Sequence, residues 1–364
     1  MRILYVINSL DGGGGALPLP HIIRVMRANG HEVHVVALME RDGRARPLLD
    51  AQAIPYEVIG GPKRRYVETA WRLDRIVRVQ RPDLIWTSFT HATITGQLLG
   101  ALRRIPVVSW QHNAWLKPIN ARLLRYTAGL TRHWVVDSKA VQTFGEETLG
   151  LDPARISIWP LFMVDPATVA AAPASSSVFR LGSLGRLHRN KGYDVLIRAI
   201  ARFNSQSPDL APRLSVHLAG EGPERPALEA LADELAVTNL HFEGFTTEPL
   251  AFLAGLHGYI QPSHHEGLCI AAHQALAAGL PVIASPVGEM AQSITASGGG
   301  MLVPYGDVPQ LAATLERFVR NPADAAATGQ SARAWTLRAY SDESFNAHGR
   351  AALDAAERLV RRPR

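Results

Sequence analysis

Cysteine is nearly absent: Cys269 stands alone among 364 residues. No disulfide can form within the chain, which suits a reducing compartment. Long hydrophobic runs are missing too; none approaches the roughly 18 residues that a bilayer-crossing helix needs. The opening MRILYVI is shorter than a secretory core and no small-residue cleavage pattern follows it, so it reads as a buried first strand and the expected location is cytoplasmic. No His-Glu-x-x-His occurs, and His264, His265 and His273 have no acid-rich partner segment, so no metal is expected. No aromatic-rich basic motif stands out, which argues against a nucleic-acid partner.

Positive charge is present, but unevenly. Of a net charge of +6, residues 1–165 hold 21 Lys/Arg against 14 Asp/Glu, while residues 166–364 hold 17 against 18. A basic half suits an anionic partner, such as a phosphorylated substrate or an acidic membrane surface. The stretch KRRYVETAWRLDRIVRVQR (Lys63–Arg81) concentrates it, with Arg72, Arg75 and Arg78 at every third position and Trp71 at their start. Two readings stand, a solvated helix face and contact with anionic lipid headgroups on the inner face of a membrane.

Short apolar runs alternate with helix-like segments. ILYVI, EVHVVAL, DLIWTS, PVVSW and HWVVDS read as strands buried on both faces. HIIRVMRANG between the first two has helical spacing and a terminating Gly30. The segment VDPATVAAAPASSS (Val164–Ser177) has no periodicity and reads as a linker. After it the alternation restarts with FRLGSLG, LSVHLAG, NLHFEGF, GYIQPS and LPVIAS. Strand–helix repetition of this kind implies parallel, doubly wound sheets. The expected organisation is an α/β chain with a first domain over 1–165, a linker over 166–177 and a second domain over 178–344. The last helix, about 345–364, is free to pack on either domain.

Three segments carry candidate chemistry. NSLDGGGGALPLP follows the first strand, but G-x-G-x-x-G fails there, because Leu17 or Pro18 falls on the third glycine position. What remains is either a mobile turn or a loop that brings backbone N–H groups to a ligand. GSLGRLHRNKGYDVL places Arg186 and Lys191 five apart, before a helix expected to start near Tyr193. Two cations beside a helix mouth suit a diphosphate. In HHEGLCIAAHQALAAGLPVIAS, Glu266 stands at the entrance of a short apolar helix that ends at Gly279. The bland explanation is a favourable helix dipole. If the segment is helical throughout, Gln274 lies about 12 Å further along at 1.5 Å per residue. The N–H groups of Gly267, Leu268 and Cys269 then fall between. Cys269 reads as a small packing group before a reactive thiol.

GSLGRLHRNKGYDVLIRAI, LAGEGPERPALEALADEL, NLHFEGF, PSHHEGLCIAAHQALAAGLPVIASPVGEM and GGGMLVPYGDVPQLAATL occur in this order. Together they resemble the retaining glycosyltransferases of family 4, the group 1 glycosyltransferases, over roughly Gly182–Leu315. GGGGAL, RANGHEVHVVAL and SWQHN extend the likeness more loosely into the first half. The resemblance implies a GT-B fold, two Rossmann-like domains facing across a cleft, and sugar transfer from a nucleotide-diphosphate sugar with retention. It makes Arg186 and Lys191 the diphosphate-binding pair and Glu266 the first acid of an E-x7-E motif beside the donor sugar. It places Phe245 at the nucleobase, His112 near the reacting sugar and acceptor, and Gly14 and Gly15 in the sugar-contacting loop. The second acid of the motif is replaced by Gln274, which keeps an acceptor oxygen but loses about 1 kcal/mol of charge-assisted bonding to ribose. Leu17 also departs from the family pattern, where an acid is common. No Asp-x-Asp occurs, so cations rather than a metal are expected to carry the diphosphate charge.

The expected function is therefore a metal-independent hexosyltransferase without a cofactor. UDP-sugars are favoured over GDP-sugars, with a glycan or lipid-linked acceptor in cell-surface polysaccharide or glycolipid synthesis. A non-catalytic nucleotide-sugar-binding homologue and a sugar-nucleotide epimerase on the same fold are the alternatives.

Overall fold

The computed structural model describes residues 1–12, 14–62, 65–165, 167–171 and 177–361. They divide into two compact units, Met1–Phe162 with Asp342–Arg364, and Met163–Ser341.

The first unit is built on seven parallel strands: β1 (Arg2–Ile7), β2 (Glu32–Ala37), β3 (Tyr56–Val58), β4 (Leu84–Ser88), β5 (Val107–Gln111), β6 (His133–Val136) and β7 (Ile156–Ile158), in the order β3-β2-β1-β4-β5-β6-β7. The central strands are apolar on both faces because helices cover both sides. Leu84–Ser88 and Val107–Gln111 are buried at every position. Strand order reverses between β1 and β4, so the loops leaving these two strands diverge and open a crevice at their C-terminal ends. Under that edge lies an aromatic stack in which Trp110 and Trp159 face each other at 4.9 Å and 25°. Trp86 meets Trp159 edge-on at 6.3 Å. The last helix, Asp342–Arg361, belongs to this unit; its Phe345 ring sits 5.5 Å from Trp159, and Asp342 pairs with Arg24.

The second unit has six parallel strands: β8 (Phe179–Leu184), β9 (Leu214–Ala219), β10 (Leu240–Gly244), β11 (Gly258–Gln261), β12 (Val282–Ala284) and β13 (Gly300–Leu302), in the order β10-β9-β8-β11-β12-β13. Here the reversal falls between β8 and β11. One core layer packs the helix Tyr193–Gln206 and the helix Val308–Arg320 over the sheet, through Leu196, Ile200, Phe203, Leu311 and Leu315.

Pro166 and residues 172–176 of the expected linker lie outside the described residues. What is described of that stretch is tied to the second unit. Ala171 N–H donates to Ala278 O at 2.7 Å, and Arg333 donates to Thr168 O at 3.1 Å.

Candidate functional site

In the second unit the loops after β8 and β11 meet at the strand reversal. The β8 loop ends in a short turn, Arg189–Lys191, closed by Gly192 at φ +66°. A Cβ on Gly192 would lie 2.0 Å from Pro262 O, so only glycine lets the two loops touch. His264 N–H donates to Asn190 O at 2.8 Å and pins them again. The result brings Lys191 and Glu266 together. Lys191 Nζ donates to Glu266 Oε1 at 2.8 Å, Ser263 Oγ donates to the same oxygen at 2.7 Å, and Gln261 Nε2 reaches it at 3.4 Å. Burial is the largest single influence and disfavours the Lys191 ammonium, but the Glu266 carboxylate, Cys269, Tyr193 and the Glu266 hydrogen bond together hold the group above the usual lysine range.

Arg186 is exposed on the same loop, next to Gly185, whose own Cβ position is 3.3 Å from Lys191 Cε. No hydrogen bond among the described residues joins Arg186 or Gln274 to the Lys191–Glu266 pair. Phe245 follows β10 and is 45 % exposed.

The helix after Glu266 corrects the expected geometry. It spans Ile270–Ala277, so Glu266 lies four residues ahead of it, and Gly267, Leu268 and Cys269 precede the first turn. Half of the eight-residue step to Gln274 is not helical, and the 12 Å separation does not apply. A dipole acting within one turn cannot explain Glu266 either; its lysine partner does. Cys269 caps the helix at φ +64°, and burial pushes its thiol up to about 12, which makes it a packing group. Gln274 is half-buried on the helix.

His273 is wholly buried. Its Nδ1–H donates to Cys269 O at 3.0 Å, and Nε2 accepts from Ser293 Oγ at 2.8 Å, with Tyr340 OH 3.1 Å away. Burial lowers it to about 4, so it stays neutral as a structural tie. His264 stacks on the Tyr305 ring at 4.4 Å.

In the first unit the crevice at the β1/β4 reversal holds His112, Phe89 and the glycine loop. Phe89, between β4 and the helix Thr90–Arg103, sits at φ 70°, ψ 155°, a conformation that costs a non-glycine residue about 1–3 kcal/mol. Its ring is 4.6 Å from the His112 ring. A Cβ on Gly15 would lie 2.0 Å from that ring, so any side chain there would displace Phe89. Gly14 is exposed.

Asp137, unmarked in the sequence reading, proves to be the partner of His112. It follows β6 directly and is buried; Trp110 Nε1 donates to its Oδ1 at 2.6 Å, and His112 Nδ1 lies 3.0 and 3.1 Å from its two oxygens. Burial pushes the pKa of its carboxyl up, and the imidazole beside it opposes that rise. An acid just past the C-terminal end of a parallel strand was the available signal.

Lys63 and Arg64 lie outside the described residues. The rest of the basic stretch forms the helix Tyr66–Gln80, where Arg72 pairs with Glu68 at 2.6 Å. Arg78 and Arg103 share Asp74, at 2.5 and 2.7 Å. Much of that stripe is thus neutralised from within. No helix among the described residues is long and apolar enough to cross a membrane.

Two parallel Rossmann-like sheets, each with its loops gathered at a strand reversal, define a GT-B architecture. Residues 13–163 match the model of glycosyltransferase family 4, and residues 172–335 match that of glycosyl transferases group 1. The chain belongs to the group 1 glycosyltransferases. The 2-deoxystreptamine glucosyltransferase of Streptomyces kanamyceticus is 30 % identical over 258 residues, 66 % of this chain and 63 % of that protein. A D-inositol 3-phosphate glycosyltransferase of Thermobifida fusca (strain YX) is 31 % identical over 195 residues, 48 % of this chain and 44 % of that protein. The aligned part thus spans between about two fifths and two thirds of these relatives. Among solved structures, Anabaena Alr3699/HepE in complex with UDP-glucose superposes with a TM-score of 0.83 at 21 % identity, covering 98 % of this chain and 100 % of that one. Sucrose-phosphate synthase from Thermosynechococcus elongatus gives a TM-score of 0.75 at 17 % identity, covering 99 % of both chains.

Proposed function

We propose that this chain moves a hexosyl group from a nucleotide-diphosphate sugar, with uridine the preferred base, to a glycan or lipid-linked acceptor. The anomeric configuration is retained, and the product serves cell-surface polysaccharide or glycolipid synthesis. The observation that carries the reading is the Lys191–Glu266 pair at the β8/β11 reversal. An arriving diphosphate competes with Glu266 for the Lys191 ammonium, which frees the carboxylate to accept from donor-sugar hydroxyls. Arg186 adds a planar fork for phosphate oxygens. Gly267, Leu268 and Cys269 line the donor side, Phe245 walls the base and Gln274 meets the ribose. His112, with Gly14 and Gly15, serves the sugar and acceptor.

In this reading no cofactor or metal is assigned. Arg186 and Lys191 stabilise the charge that develops on the leaving diphosphate. The departing phosphate oxygen takes the acceptor proton, so no side-chain base is needed. Peripheral contact with the cytoplasmic face of an anionic membrane rests on Arg75 beside Trp71, which is 61 % exposed.

Calorimetric titration with UDP and GDP, paired with a transfer assay, tests the reading. Wild-type protein that binds neither nucleotide would remove the donor site. Arg186→Ala is expected to weaken UDP binding about tenfold and slow transfer about 100-fold without moving the thermal midpoint, the loss of one charge-assisted fork. Gln274→Glu is expected to tighten UDP binding roughly fivefold, the equivalent of ~1 kcal/mol from a charged acceptor at the ribose. Inactivity of that variant would mean that the amide N–H is required.

A further inference from the structure

The helix Pro118–Thr127, which follows β5 in the first unit, turns its apolar side outward. Only Leu124 on it is buried, while Ile119, Leu123 and Tyr126 are exposed. These three are spaced by four and three residues and so form one stripe along the helix. Leu130, exposed in the short turn Ala128–Leu130, carries the stripe one step further. Ile119 is 58 % and Tyr126 82 % exposed. On the neighbouring helix Thr90–Arg103, Leu98 and Leu102 also face outward.

Charge in this region has one sign. From Leu84 to Val136 the sequence holds no Asp or Glu and six cations, Arg103, Arg104, Lys117, Arg122, Arg125 and Arg132. Arg103 is taken by Asp74. Lys117, Arg122 and Arg125 are exposed, and among the described residues no ion pair engages them. The helix Tyr66–Gln80 differs, because its Arg72 and Arg78 are paired with its own acids. Single apolar side chains at a surface need no partner, but a stripe rimmed by unpaired cations marks a docking face. A second copy of this face would set like charges against each other, which disfavours self-association. An anionic bilayer meets both requirements. Its acyl boundary accepts Ile119 and Leu123, its headgroup level suits the amphipathic Tyr126 ring, and its phosphates attract the flanking cations.

We propose that the helix Pro118–Thr127 lies in the interface of an anionic lipid bilayer, its Ile119–Leu123–Tyr126 stripe inserted and Lys117, Arg122 and Arg125 on lipid phosphates. This face is separate from Arg75 and Trp71 and from the donor site, so it stands or falls independently of the transferase reading.

The test uses the full chain with vesicles of phosphatidylcholine alone, or of phosphatidylcholine and phosphatidylglycerol in equal parts, read by flotation at low and high salt. Wild type is expected to bind the anionic vesicles at least tenfold more tightly. Arg122→Gln combined with Arg125→Gln should weaken that binding about 25-fold, roughly fivefold for each charge removed. Ile119→Ser combined with Tyr126→Ser should weaken it about tenfold, and by a similar factor at high salt, because apolar burial is not screened. All four side chains are exposed, so the thermal midpoint should not move. A polarity-sensitive dye on Tyr126→Cys is expected to shift to shorter wavelength on anionic vesicles. The same dye on Ala351→Cys, exposed on the last helix, should not shift, and buried Cys269 stays unlabelled. No vesicle binding, equal binding to both compositions, or equal dye shifts at the two positions overturns the proposal. So does a concentration-dependent dimer that the serine variant dissolves, which would assign the stripe to a second copy. Binding that Arg75→Gln abolishes and the Arg122/Arg125 variant leaves intact would place the membrane on Tyr66–Gln80 instead. Calorimetric UDP affinity, expected to be unchanged in every variant, reports the donor reading separately; its absence in wild type leaves the lipid face standing.

Discussion

Lys191→Ala is expected to lower kcat/KM for sugar transfer by about 10²–10³-fold, the usual effect of removing one preorganised charge partner from a transition state. The fold should survive. Glu266 keeps the Ser263 hydroxyl at 2.7 Å and the Gln261 amide at 3.4 Å as donors, so the carboxylate is not stranded. The cost in stability is then about 1–3 kcal/mol, below the loss seen when a fully buried pair is broken. Steady-state transfer rates and urea unfolding on the same preparation check both halves. Transfer within tenfold of wild type would take Lys191 out of the chemistry. Loss of folding would mean that the ion pair is structural first and that its burial, not its proximity to substrate, explains it.

Trp159→Ala is expected to destabilise the first unit by about 3–5 kcal/mol, read as an earlier urea midpoint for that unit. The indole is fully buried between Trp110, Trp86 and Phe345, and a Cβ on Gly349 of the last helix would lie 2.6 Å from its ring, so only glycine fits against it. Truncation leaves a cavity that none of these elements can close alone. Trp159→Phe is a sharper probe. Trp159 Nε1 is buried without a hydrogen-bond partner among the described residues, so losing it forfeits volume but no bond. That variant should cost less than about 1.5 kcal/mol. Its effects should also reach the site, because Trp110 stacks on His112 at 5.5 Å and donates to Asp137. A phenylalanine variant as unstable as the alanine one would show that the indole shape, rather than filled volume, holds the last helix.

Ten strands were readable from their apolar runs, nine of them because helices cover both faces of the sheet and bury most positions, while β10, an edge strand with no buried position, was read from NLHFEGF alone. The three that were not, β3, β7 and β13, are three residues long and lie at sheet edges, half-buried or exposed. Such segments bury too little to impose an apolar pattern; pairing with a neighbour makes them strands. The donor-side candidates were legible because Arg186, Lys191 and Glu266 occur in glycine-punctuated segments that resemble a known family. Their mutual geometry was not. Extending the helix back to Glu266 assumed regular backbone where Cys269 instead adopts φ +64°.

The amino-acid order alone determined the doubly wound α/β class and the basic bias of the first half. Each depends on local pattern or composition. Tertiary structure alone decided that Glu266 answers to Lys191, 75 positions away, and that His112 answers to Asp137, 25 positions away. The first pairing arises where loops converge at a reversal of strand order, the second between loops of the neighbouring strands β5 and β6, and no periodicity along the chain records which loops will meet.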